Sequence, residues 1–199
     1  VLDHVFTDAI GALRDALESA LLERQALEER FQTDVLLGDV TWETIYGLPG
    51  EGLPPRVQAD LTLEWPTWAQ TAYRTWFLDE EFTEGPVIEI EVVFRVQRLS
   101  EVPDPAVIME GLPATSPQIG DEELTGLGPT VETVYDSDLN IVSHAVEITY
   151  TGSYELDEKT LEDGSALDEH FSSIGGWITS TLVRLGDLPL AFEPPQDDV

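Results

Sequence analysis

The chain contains no cysteine, so disulfides, thiolate nucleophiles, iron–sulfur clusters and Cys-ligated zinc are all excluded and the redox compartment is left open. Lysine is nearly absent: Lys159 is the only one, and the arginines bring the basic residues to 9 against 40 Asp and Glu, a formal net charge of −31. These bases are scattered from Arg14 to Arg184, with no cluster to release counterions from phosphate. Sequence-specific nucleic-acid binding and attachment to anionic membranes are therefore not expected. No run approaches about 18 uncharged apolar residues, the length of a membrane span, and Asp3 and His4 stand where a secretory signal carries basic residues. Histidine is also scarce. His4, His144 and His170 each lack the i,i+4 partner of a zinc helix.

Catalytic motifs are missing too. Ser153 in TGSYE and Ser165 in DGSAL lack the G-x-S-x-G elbow. The glycines of GLPGEGLPP and TGLGPT fit neither a dinucleotide fingerprint nor a P-loop, whose lysine is absent. Among 40 carboxylates, chance proximity makes any acid pair uninformative about glycoside chemistry. The expectation is a non-enzymatic chain with no catalytic residue and no cofactor.

What is present is a core. Hydrophobic residues make up 42%, including five Trp, five Tyr and seven Phe, too many for a solvated acidic tail. A chain of 199 residues reads as one domain, 1–199, burying roughly 70% of its unfolded surface. The acids are spread along the whole chain, from Asp79–Glu84 through Glu155–Glu158 to Asp197 and Asp198. Their mutual repulsion opposes folding in dilute buffer and is screened in about 1 M salt, where the Debye length is roughly 3 Å. The pattern resembles the proteins of salt-in extreme halophiles, the haloarchaea and their viruses. An acidic mesophilic protein or a nucleic-acid mimic is the alternative.

The periodicities predict an α+β fold. Phe6, Ile10, Leu13, Leu17, Ala20, Leu27 and Phe31 step by four and three, interrupted at Arg24, predicting a long amphipathic helix over Asp3–Thr33. Its stripe is either a lid on the chain's own sheet or a seam for a neighbouring subunit. Alternation predicts strands around Val40–Thr44, over Val57–Trp65 and over Val87–Leu99, and Val131–Tyr135 and Ser143–Leu156, joined through DSDLN, read as a hairpin. Residues 100–130 form a Pro/Gly-rich loop or arm, and 189–199 read as a solvated tail. A second helix starts at Ser165, with Asp168 completing a capping-box-like start, carries Leu167, Phe171, Ile174, Ile178, Leu182 and Leu185, and stops at Gly186. Gly175 and Gly176 in its middle mark close packing or a hinge.

Two groups of residues are candidate sites. Asp136, Asp138, Asn140 and Glu147 match positions 1, 3, 5 and 12 of a calcium loop, but Ile141 replaces the position-6 Gly, so an Asx-rich turn is the alternative and no metal is expected. Trp65, Trp68, Tyr73, Trp76, Phe77 and Phe82 form an aromatic-rich stretch that suits a core cluster, a subunit interface or a carbohydrate platform. The candidate interface is thus Phe6, Ile10, Leu13 and Leu17 with Trp65, Trp68, Tyr73, Trp76 and Phe77.

The helix Asp3–Thr33 followed by the long strands Val57–Trp65 and Val87–Leu99 resembles the small ring-forming neck and tail-terminator proteins of tailed viruses. The resemblance is architectural, without a sequence motif, and the chain departs from it by the segment Ser100–Pro129 and the late hairpin. It implies a helix packed on an antiparallel sheet, a homo-oligomeric ring joining tail tube to head connector, other virion tail or neck proteins as partners, and a location in the virion after assembly in the host cytoplasm. The rivals are a cytoplasmic haloarchaeal binding or regulatory protein and, behind it, a carboxylate-based hydrolase.

Overall fold

The structure, a computed structural model, describes residues 4–21, 32–36, 38–48, 54–80, 84–110, 112–162 and 164–194. In chain order the elements are α1 (His4–Leu21), β1 (Gln32–Leu36), β2 (Asp39–Gly47), β3 (Val57–Trp65), α2 (Thr67–Phe77), β4 (Val87–Leu99), α3 (Pro105–Met109), β5 (Thr125–Gly126), β6 (Thr130–Tyr135), β7 (Ile141–Glu155), α4 (Glu158–Glu162) and α5 (Ser165–Gly186). The fold is α+β, with an N-terminal helix, an antiparallel sheet and a C-terminal helix.

The strands run β1-β2-β3-β4-β7, and the far side of β7 is shared by β6 and β5. Period-two alternation sorts side chains to two faces. One row across the sheet, Thr44, Leu61, Val92 and Tyr150, is buried on the core face. The opposite face is polar: Gln58, Arg95 and Glu147 form one row, and Glu64 lies directly across from Glu89. The core face is covered by helices. Phe6 of α1 stacks on Trp65 with ring centroids 5.9 Å apart, and Trp177 of α5 meets Phe94 and Tyr150 edge-on at 5.4 and 5.0 Å.

The α1 stripe is core, and the structure does not leave it as a subunit seam. Phe6, Leu13 and Leu17 are buried in this chain and Ile10 is half-buried, because α1 lies against α5. The predicted helix is too long: Gln32 and Thr33 pair with Glu43 and Trp42 as part of β1, and Ala20 is exposed. A backbone ladder with β2 outweighs an apolar period that had already been interrupted at Arg24. Leu27 and Phe31 lie outside the described residues.

Gly175 and Gly176 separate cleanly. A Cβ on Gly175 would stand 2.8 Å from the Cβ of Ala16 and 3.3 Å from the Leu13 carbonyl, so this glycine is what lets α1 and α5 approach. Gly176 faces open space, and α5 runs unbroken through both. The α5 stripe is buried as its period predicts, but Gly164, not Ser165, is the N-cap residue, with no side-chain cap bond.

The Pro/Gly-rich segment is tied down on the sheet. Ile108, Ile119 and Leu124 are buried, and the Tyr150 hydroxyl donates to the Pro113 carbonyl at 2.7 Å. Of the expected solvated tail, Pro189, Ala191 and Pro194 are exposed but Leu190 and Phe192 pack: Phe192 bridges to Leu99, and the Arg56 guanidinium lies 4.9 Å above its ring; residues 195–199 lie outside the described residues. Leu190 and Phe192 supply the apolar surface that a tail of PPQDDV composition lacks.

Candidate functional site

The aromatic-rich stretch folds as β3 running straight into α2, and this divides its rings into two groups. Trp65 and Tyr73 are in the core; Tyr73 lies edge-on to Trp65 at 6.2 Å, and its hydroxyl is 2.7 Å from His4 Nδ1. Trp76 is half-buried against Tyr73. Trp68 and Phe77 are exposed, together with Leu78, at 46%, 53% and 66%. Phe82 lies outside the described residues.

The start of α2 is held by the turn before β2. Pro66 cannot cap with its own side chain, and the Asp39 carboxylate does so from 28 residues away, accepting from Thr67 N at 2.6 Å and Thr67 Oγ1 at 2.8 Å. Those bonds hold the Asp39 carboxyl below its ordinary value, the backbone N–H contributing most. Gln70 ties the same turn in by donating to the carbonyls of Gly38 and Trp65. Gly38 has φ of 97°, and a Cβ there would meet Thr67 Oγ1 at 2.9 Å, so both conformation and space call for glycine.

Trp68, Thr71, Thr75 and Leu78 step 3-4-3 along the outward side of α2. Thr71 and Thr75 donate their hydroxyls to the carbonyls of Thr67 and Thr71, both at 2.9 Å, so these hydroxyls are satisfied within the helix. From Trp65 to Leu78 there is no Asp or Glu, in a chain with 40 in 199 residues, and the only charged side chain is Arg74. A longer gap runs from His170 to Gly186 on α5, whose stripe is buried, so the gap marks this surface only together with the exposure of Trp68, Phe77 and Leu78.

The β6–β7 hairpin carries another exposed apolar group, with Tyr135 at 53%, Leu139 at 81% and Ile141 at 61%. Leu139 sits at φ of 63°, a left-handed conformation unfavourable for a leucine. The turn is fixed by Asp136, whose carboxylate accepts from the backbone of Asp138 and Asn140 and from Asn140 Nδ2. These bonds, the Asn140 side chain first, lower the Asp136 carboxyl from its ordinary value.

The calcium-like quartet is therefore not brought together. Asp136 and Asn140 bond each other, while Glu147 lies along β7 in an ion pair with Arg95, which also pairs with Glu132 at 2.9 Å. Among the described residues no group of three or more His, Cys, Asp or Glu is arranged to hold a metal ion. Each histidine meets a hydroxyl of its own chain: His4 that of Tyr73, His144 that of Thr133 at 3.1 Å, and His170 that of Tyr154 at 2.8 Å.

A cavity of about 310 Å³ lies between the end of β4, the hairpin and the C-terminal segment, lined in part by Arg95, Gln97, Arg98 and Glu193. Arg98 takes φ of 62° where the β4–β7 register shifts, and it is buried. The irregularity turns its guanidinium back toward the carbonyls of Pro54 and Glu193, to which it donates at 3.3 and 3.0 Å. No sequence period signals this residue, because its position depends on the bulge. Among the described residues no helix is long and apolar enough to cross a membrane.

Compared with models of known protein families, with curated proteins and with solved structures, the chain matches none.

Proposed function

We propose that this chain is a non-enzymatic structural subunit of the virion of a halophilic tailed virus, a ring-forming neck or tail-terminator component that joins tail tube to head connector. The observation that carries the reading is the outward surface of α2. A chain that keeps water contact through carboxylates omits them from this helix and shows Trp68, Phe77 and Leu78 instead. Exposed apolar surface rimmed by polar residues marks a place where another protein sits, and Trp and Arg are the residue types that concentrate binding energy there. The α+β arrangement of helix on antiparallel sheet agrees with the architectural resemblance. Light scattering after size exclusion in about 2 M KCl, a concentration chosen to screen the surface charge, tests it. A discrete multiple of 22.0 kDa that shows a central channel on imaging is the expected result. A strict monomer at every concentration, or an activity abolished by one Asp or Glu substitution, overturns it.

The exposed Trp68 and the 310 Å³ cavity favour a second reading, a cytoplasmic haloarchaeal binding or regulatory protein. Under that reading the monomer changes its Trp fluorescence on titration with a small ligand and gains no mass at high salt.

A further inference from the structure

Val102, Val107 and Leu127 are exposed singly, whereas the two clusters, at α2 and at the hairpin turn, stand at opposite ends of the sheet. Trp65, which leads into α2, ends β3 beside the start of β4, where Glu64 pairs with Glu89 and Val87 with Glu155 at the close of β7. The hairpin turn is at the other end of β7, beyond the pairing of Leu99 with His144. Two different surfaces at opposite ends favour a head-to-tail contact, the kind that closes into rings, over a self-matching one. They also differ in the way partners do. The turn is acidic, with Asp136 and Asp138 beside Leu139, while the outward side of α2 mixes Trp68 and Leu78 with threonines and carries no acid, its only charge being Arg74, which also donates to Gln70 Oε1 at 3.1 Å. Leu139 adds an independent sign. A leucine held at φ of 63° and 81% exposed contributes nothing to this chain's own core, and such strain accumulates where function needs it.

We propose that copies of this chain associate head to tail, the hairpin turn of one seating Leu139, Tyr135 and Ile141 on the outward side of α2 of the next, with Asp138 facing Arg74. The inference rests on the assembly reading above and names its contact. The Asp136 bonds order the turn in advance, so little conformational freedom is lost on docking.

The test uses two variants of the full chain in about 2 M KCl: a hairpin variant, Leu139→Asp with Ile141→Asp, and a helix variant, Trp68→Asp with Leu78→Asp. All four positions are exposed, and Asp accepts a left-handed φ better than Leu, so the monomers should keep the wild-type circular dichroism. Each variant alone is expected at 22.0 kDa, and an equimolar mixture at twice that mass and no more. In the mixture one intact hairpin meets one intact α2, and the remaining ends are blocked. Asp138→Lys should lose assembly, and Arg74→Glu in the partner should restore it. If both variants assemble like the wild type, or if the mixture stays monomeric, the head-to-tail contact is wrong while assembly itself stands. If the helix variant unfolds as a monomer, α2 is covered by its own chain and the inference fails. If the wild type never assembles, the assembly reading falls with it.

Discussion

Glu64 and Glu89 face each other across β3 and β4, a like-charge pair that sheet register forces and that molar salt screens. Partial burial raises the Glu64 carboxyl above its ordinary value, and Glu89 and Asp39 push it further. Burial likewise raises Asp60, against the Gln58 amide that donates to it at 2.8 Å. Both bind a proton more tightly in the native than in the unfolded chain. Their stabilising neutral form is therefore complete below the unfolded value, and stability is lost as pH rises through the native one. Asp39, Asp136 and Asp157 have the opposite sign, since bonds from Thr67, Asn140 and Thr160 lower them. Their contribution is present above the ordinary value and disappears as pH falls through the native one. At fixed salt, the urea midpoint should rise from pH 7 toward about 4 to 5, near the usual carboxylate range, and fall below that. A midpoint that only declines from pH 7 would contradict this assignment. Glu64→Gln should flatten the rise and add a few tenths of a kcal/mol in low salt, a gain that shrinks in about 2 M KCl because salt screens the repulsion from Glu89 but not the burial. The charges were legible in the sequence, but which of them oppose each other depends on register.

At the scale of elements, two adjacent glycines in α5 make a paired test. Gly175→Ala gains helix propensity of about 1 kcal/mol but drives a methyl against Ala16 and the Leu13 carbonyl, and overpacking of that kind costs about 1 to 3 kcal/mol. It should lower the thermal midpoint. Gly176→Ala meets nothing within 4 Å and should raise stability by up to about 1 kcal/mol, read from the same melts. Equal effects of the two would refute the close approach of α1 and α5. Strict periods made β3, β4 and α5 readable, because each buries one face along its length, whereas β7 is buried on both faces over Ser143–Val146. α2 was hidden since its aromatic residues divide between core and surface and its cap comes from Asp39, on another element. The DSDLN turn was readable as a hairpin, whereas the strain at Leu139 was not, since φ is set by the bonds Asp136 makes.

For the whole molecule, the dominant fact is a net charge of −31 on 199 residues. Most carboxylates are exposed, and Arg95 is held by Glu132 and Glu147 across the open face of the sheet. Lowering KCl from molar to millimolar lengthens the Debye length from roughly 3 Å to beyond 30 Å, so repulsion reaches across the molecule. Far-UV circular dichroism should show the fold weakening over that range, with Mg²⁺-free NaCl as effective as KCl if screening alone is responsible. A fold indifferent to salt would remove the halophilic reading. Composition and period by themselves determined that the chain folds, that it is α+β, and which residues of β3, β4 and α5 face inward, because those properties are local and repeat along the chain. Only the tertiary structure decided that the α1 stripe is core, that Trp68 and Phe77 are surface while Trp65 and Tyr73 are not, and that α2 and the hairpin turn lie at opposite ends of one sheet. Each of those depends on strand order and on contacts between residues far apart in sequence, which no local pattern records.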